Sequence, residues 1–121
     1  MPAIDNTYFQ DTMFSVSANI GEHISEQIKW DFGNVKVKTI FFVINKSGVK
    51  DWLKIERYNS SGELIDAPLM KIFNIGAGVP TGGSFEKPIS MPIGWYFLAK
   101  YNSIANPKIR EVVIRIEFTK S

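Results

Sequence analysis

Several groups of residues in this 121-residue chain have types and spacings that chemistry uses. The run Gly76 to Ser84 (GAGVPTGGS) holds four glycines and a proline, and backbone amides in such a run can cradle an anion. A nucleotide phosphate loop closes on Gly-Lys-Ser/Thr before a helix, and a dinucleotide loop needs a parallel strand–turn–helix setting. Gly82-Gly83-Ser84 lacks the lysine, and a strand-like segment follows. Gly76 to Gly83 therefore reads as a flexible loop between strands, with a binding loop at one end of the fold as the alternative. His23, the single histidine, lies between Glu22 and Glu26. General-base chemistry needs a positioned partner, and a lone histidine beside two glutamates supplies none by spacing, so a surface histidine is expected. Asp5, Asp11, Asp31, Asp51 and Asp66 are oxygen donors of the kind calcium takes, but they are scattered singly and form no Asp-x-Asp-x-Asp-Gly loop. Glu56, Glu111 and Glu117 fall on strand-like segments. A pair of them held about 5–10 Å apart would suit glycoside hydrolysis, whereas outward strand glutamates are more often a solvated face. No Gly-x-Ser-x-Gly elbow occurs, and the sequence has no cysteine, which removes a thiolate nucleophile, a thiolate metal site and a disulfide scaffold. No nucleophile, metal or acid–base cluster stands out, so the expectation is a non-enzyme without metal or cofactor.

The aromatic residues carry more information. Trp52 to Tyr58 alternates, with Leu53 and Ile55 on one side and Trp52, Lys54, Glu56 and Tyr58 on the other. If Leu53 and Ile55 belong to a core, Trp52, Lys54 and Tyr58 must face outward. Between Trp95 and Tyr101, Trp95, Phe97 and Tyr101 share one side, and Tyr96, Leu98 and Lys100 share the other. Which of those sides is exposed stays open. Flat rings beside polar donors suit a sugar, and Trp and Tyr also dominate protein contact surfaces. The alternative is aromatics packed within the fold or under a loop. The candidate ligand-binding set is Trp52, Lys54 and Tyr58, edged by Trp95, Tyr96 and Tyr101, with the Gly76 to Gly83 loop near its rim. Carbohydrate is the first choice of ligand, because stacking tolerates a neutral partner and the net charge is only +2. A protein surface is the second, including a further copy of the chain. The small charge argues against nucleic acid.

These residues must be positioned by strands. The chain has 16 Ile and 8 Val against 6 Ala and 4 Leu, and 9 Phe, 4 Tyr and 3 Trp. Cβ-branched and aromatic side chains suit a pleated surface better than a helix. Alternation places strands at Thr12–Ile20, Ile28–Phe32 (with Glu22–Ile28 as a competing helical turn), Val35–Ile44, Trp52–Tyr58, Leu69–Ile75, Phe85–Met91, Trp95–Tyr101 and Glu111–Phe118. Val35–Ile44 begins as Val-Lys-Val-Lys and becomes apolar on both faces, which reads as a strand entering the core. Turn signals separate the strands at Gly33-Asn34, Asn45–Gly48 and Asn59-Ser60-Ser61-Gly62. Pro88 and Pro92 confine their segment to an edge or a bulge. The expected fold is all-β, an antiparallel sandwich of about eight strands in a jelly roll or Greek key. Residues 1–11 are an N-terminal extension and residues 12–121 one sandwich domain. Met1 to Gln10 shows no basic or apolar targeting signal, and no apolar run approaches the roughly 20 residues of a membrane helix. The expected setting is cytoplasmic as written, or the mature form of an exported protein.

The stretches Trp52-Leu53-Lys54-Ile55, Asn59-Ser60-Ser61-Gly62-Glu63-Leu64 and Pro92-Ile93-Gly94-Trp95-Tyr96-Phe97-Leu98 have a recognisable cadence. It resembles bacterial jelly-roll modules attached to secreted enzymes, of the pre-peptidase C-terminal and carbohydrate-binding types. The likeness covers about Val35 to Phe118. It implies a jelly-roll fold and a binding role, and carries over no ligand residue.

Overall fold

The computed structural model describes residues 7–45, 50–73, 78–104 and 108–120. Asp5, the Lys46–Gly48 part of the second turn, and Gly76 lie outside them. Among the described residues there are nine strands: β1 (Thr7–Val16), β2 (Gly21–Ile24), β3 (Ile28–Lys29), β4 (Val35–Ile44), β5 (Trp52–Tyr58), β6 (Leu64–Phe73), β7 (Thr81–Met91), β8 (Tyr96–Ser103) and β9 (Arg110–Lys120). Sheet A has the order β1-β9-β4-β7. Sheet B has β2-β8-β5-β6, with β3 also on β8. Every pairing is antiparallel. The pairs nest: β1 with β9, β2 and β3 with β8, β4 with β7, β5 with β6. A long hairpin rolled upon itself gives this order, so of the two sandwich topologies the sequence allowed, the chain adopts the jelly roll. Counting the broken β2/β3 as one strand position gives the eight of that architecture.

Local chemistry explains the boundaries. The β5–β6 turn is closed by Asn59, whose Oδ1 accepts the backbone N–H of Ser61 and of Glu63, both at 2.9 Å. Gly62 supplies the positive φ of 82° that such a turn demands. β1 starts at Thr7, five residues before the alternating run suggests, because β9 from Arg115 to Thr119 offers partners for Thr7 to Asp11. Residues 17–20 do not extend β1. They form a bend closed by His23, whose Nε2–H donates to the Asn19 carbonyl at 2.9 Å while Nδ1 lies 3.4 Å from Ser17 Oγ. His23 is thus a half-buried residue at the surface with a structural role in this bend.

The expectation for Gly76–Gly83 needs correcting. Thr81–Ser84 belongs to β7, with Gly82 opposite Phe41 and Gly83 opposite Ile40. Gly82 has φ 145°, and a Cβ there would meet the Ile40 carbonyl oxygen at 2.1 Å. Backbone contact between strands, not anion binding, requires that glycine.

A second correction concerns β4. Against β9 the pairing slips between Val37 and Thr39, so Lys38 is an inserted residue there, whereas on the other side the extra residues belong to β7, between Ser84 and Ile89. Val35 and Val37 before the bulge, and Ile40, Phe42 and Ile44 after it, all face the core. The bulge therefore turns Phe41 and Val43 outward, away from the core that the apolar run seemed to enter from both faces. Between the sheets these residues meet Leu53, Ile55, Phe97 and Ala99, with Trp30 packed against Phe97 and Phe118.

Candidate functional site

The outer face of sheet B receives four of the six sequence-predicted residues. Leu53 and Ile55 are fully buried, so Trp52, Lys54 and Tyr58 point outward. The register sets Lys54 beside Lys100 and Tyr58 beside Tyr96. Tyr58 and Tyr96 stack at 5.1 Å with 7° between ring planes. Two ammonium groups approach the Trp52 ring, Lys71 at 4.5 Å and Lys54 at 5.1 Å.

The centre of this face is Glu56. Its Oε1 lies 2.5 Å from Lys100 Nζ and accepts the Tyr58 hydroxyl at 3.0 Å, while Lys100 donates to the Tyr58 oxygen at 3.3 Å. Lys54 lies 3.9 Å from Glu56 and 3.8 Å from Glu22. Burial pushes the Glu56 carboxyl upward, but hydrogen bonds from Lys100 and Tyr58 outweigh it and hold the pKa below the usual value. The Glu56 bond raises Lys100. Burial raises Tyr58. The acid, the base and the phenol saturate one another.

Trp95 and Tyr101 are not on this face. Tyr101 points inward and is fully buried, because it shares the parity of Phe97 and Ala99. Its hydroxyl donates to Asp51 Oδ2 at 2.6 Å. Arg110 reaches across from β9, 3.4 Å from the same Asp51 oxygen, and donates to Ser103 Oγ at 3.2 Å. Trp95, half-buried, packs on the core with the Arg57 guanidinium 5.4 Å from its ring. Glu111 and Glu117 lie on sheet A, the opposite sheet from Glu56. Among the described residues no group of three or more His, Asp or Glu could hold a metal ion.

The outer face of sheet A, which the sequence did not single out, is different in kind. Phe9 and Met13 on β1 are 62% and 64% exposed, and Phe41 on β4 is 38% exposed. Val113 of β9 and Val43 of β4 lie side by side in register with Met13. Because the β7 position opposite Phe41 is Gly82, no side chain covers that ring from β7. A hollow of about 340 Å³ opens there, lined by Asp11, Phe41, Val43, Pro80, Val113 and Arg115. Arg115 clamps Asp11 through two bonds of 2.8 and 3.0 Å, and its guanidinium lies 5.8 Å from the Phe9 ring. The Arg115 bond lowers the Asp11 pKa. One cue for this face was present in the sequence: the consecutive non-apolar Lys38-Thr39 between the alternating Val35–Val37 and the apolar Ile40–Ile44 marks the slip that turns Phe41 outward.

No protein-family model matches the chain, and no curated protein matches it in sequence. Two solved structures are similar to it. A protein of the Bacillus endospore appendages, described as a family of disulfide-linked pili, matches at 11% identity and a TM-score of 0.50, over 100% of this chain and 98% of that one. A protein of infectious bursal disease virus matches at 11% identity and a TM-score of 0.47, over 98% of this chain and 36% of the viral one. At that identity the likeness is one of fold. Among the described residues no helix is long and apolar enough to cross a membrane.

Proposed function

We propose that this chain is a non-catalytic structural subunit that associates with protein, further copies of itself first, through the outer face of sheet A. The observation that carries this reading is the exposure of Phe9, Met13 and Phe41 on that one face, beside the Asp11–Arg115 pair and the hollow at Phe41. Large apolar side chains gathered on one exposed sheet face and rimmed by charge are the usual mark of a protein contact. The fold likeness to a pilus protein supports the same reading. Those appendages are disulfide-linked, whereas this sequence has no cysteine, so these residues cannot associate through a disulfide. Sugar binding on sheet B has less behind it: Trp52 is attended by Lys54 and Lys71, and Tyr58 and Tyr96 stack on each other. Faces that a sugar ring would need are already in use.

Light scattering across a concentration series tests the proposal. Mass should rise with concentration, and Phe41→Ser should weaken association by about tenfold or more, the cost of removing a central aromatic anchor. A chain that stays monomeric at every concentration overturns it.

A further inference from the structure

The jelly roll leaves strand edges unpaired, and natural sheets protect such edges with charge, proline, bulges or short length. On sheet B, β2 and β3 are only four and two residues long. β6 carries Pro68, and its register with β5 slips between Asp66 and Met70. On sheet A, β7 carries Glu86, Lys87 and Pro88, just where its register with β4 breaks between Ser84 and Ile89. β1 has none of these devices except a single charge, Asp11, which is paired with Arg115 of β9. The strand runs ten residues with no proline, glycine or lysine, and it keeps unbroken register with β9 from Thr7 to Val16. Beside its outer edge lies a hollow of about 410 Å³, bounded by Thr12 to Ser15 on one side and Ile24 to Gln27 on the other. That space is open to the inward-facing side chains of an added strand.

We propose that the β1 edge from Tyr8 to Val16 pairs with the same edge of a second copy, antiparallel about a two-fold axis, joining two copies of sheet A into one continuous sheet. This rests on the subunit reading above and names a contact within it. The occupant follows by elimination. The other edges of a second copy are short, bulged or proline-bearing, so the edge it can offer at full length is β1 itself, and like edges pair about a two-fold axis. Such an axis keeps inner residues on the inner face, so facing residues share parity. Centring on Asp11 would set two carboxylates opposite each other, which is unfavourable. Centring on Thr12 instead sets Asp11 opposite Met13 and Gln10 opposite Phe14 of the partner, and pairs the whole of Tyr8 to Val16.

The cysteine-free sequence makes a clean test. In the Thr12-centred register, Thr12→Cys would face its own counterpart at an antiparallel Cα separation of about 4.5–5.5 Å, within the span of a disulfide. Under mild oxidation, Thr12→Cys should form a covalent dimer at least tenfold faster than Glu22→Cys on β2 or Lys87→Cys on β7 at the same concentration. Cross-linking at Thr12 no faster than at those controls overturns the edge pairing. Light scattering of the unmodified protein then separates the two proposals. If it still associates, the subunit reading stands without this contact, and if it is monomeric throughout, both fall.

Discussion

An acid, a base and a tyrosine meet on each of the two faces of sheet B. Outward, Glu56, Lys100 and Tyr58 close a ring of contacts within the sheet. Inward, Asp51 and Tyr101 meet Arg110 of the opposite sheet, and all three are buried. The base differs for a physical reason. A guanidinium is weakly hydrated and presents several donors in a fixed fork, so it can be withdrawn from water and still serve Ser103 and the Lys108 carbonyl. An ammonium on a flexible stem suits a face where water remains close. The inner set ties the two sheets together at one end of the sandwich, and the outer set only ties neighbouring strands. Similar chemistry thus has unequal consequences, decided by which side of a strand it falls on.

The largest expected effect tests that inequality. Asp51→Ala strands a buried guanidinium and a buried phenol, and should cost about 3–5 kcal/mol of stability in urea unfolding. Glu56→Gln keeps the shape and removes only the charge; Glu56 is buried, but its partner Lys100 stays partly exposed and can turn to water, so the expected cost is about 1–2 kcal/mol. Equal losses for the two would dissolve the distinction.

The outer set can be sharpened by pH. The folded pKa of Glu56 is lowered, so its contribution is complete above the ordinary carboxylate range and is lost as pH falls through the lowered folded value. The stability gap between the unmodified protein and Glu56→Gln should therefore be constant near neutrality and close in acid. A gap that widens in acid reverses the sign and rules the assignment out. A smaller effect is expected of Tyr58→Phe, which removes one hydrogen bond to Glu56 and should cost about 0.5–1.5 kcal/mol in the same unfolding assay.

Much of this was legible in the sequence, and the limits have definite causes. The alternation of Trp52 to Tyr58 is local, so the side on which Trp52 lies could be read directly. The ammonium bonded to Glu56 could not, because Lys100 is 44 positions away and arrives only through the β5–β8 register. Asp51 and Arg110 each sit at the start of a strand segment, and nothing short of strand order brings those ends together. Tyr101 was ambiguous because β8 is apolar or aromatic on both sides near Trp95–Leu98, which hides the phase. At β4 the cue was present but easily missed: a one-residue bulge keeps a half-buried strand looking fully buried.

The smallest stability effect is expected where the effect on association should be large. Phe9 is 62% exposed on the outer face of sheet A, where its noted contact is with the guanidinium of Arg115, itself exposed. Little of its ring leaves water on folding, so Phe9→Ser should change stability by no more than about 0.5 kcal/mol. If the face is covered in an assembly, the ring leaves water at that step instead, and the same substitution should weaken association by about tenfold, as for a buried interface aromatic. Thermal unfolding at low concentration and light scattering at high concentration measure the two effects separately. A large stability loss would mean that Phe9 belongs to the fold, and an unchanged association would mean that nothing docks over it. The combination of a silent unfolding curve and a shifted association curve is what separates a surface kept for a partner from one kept for the chain's own core.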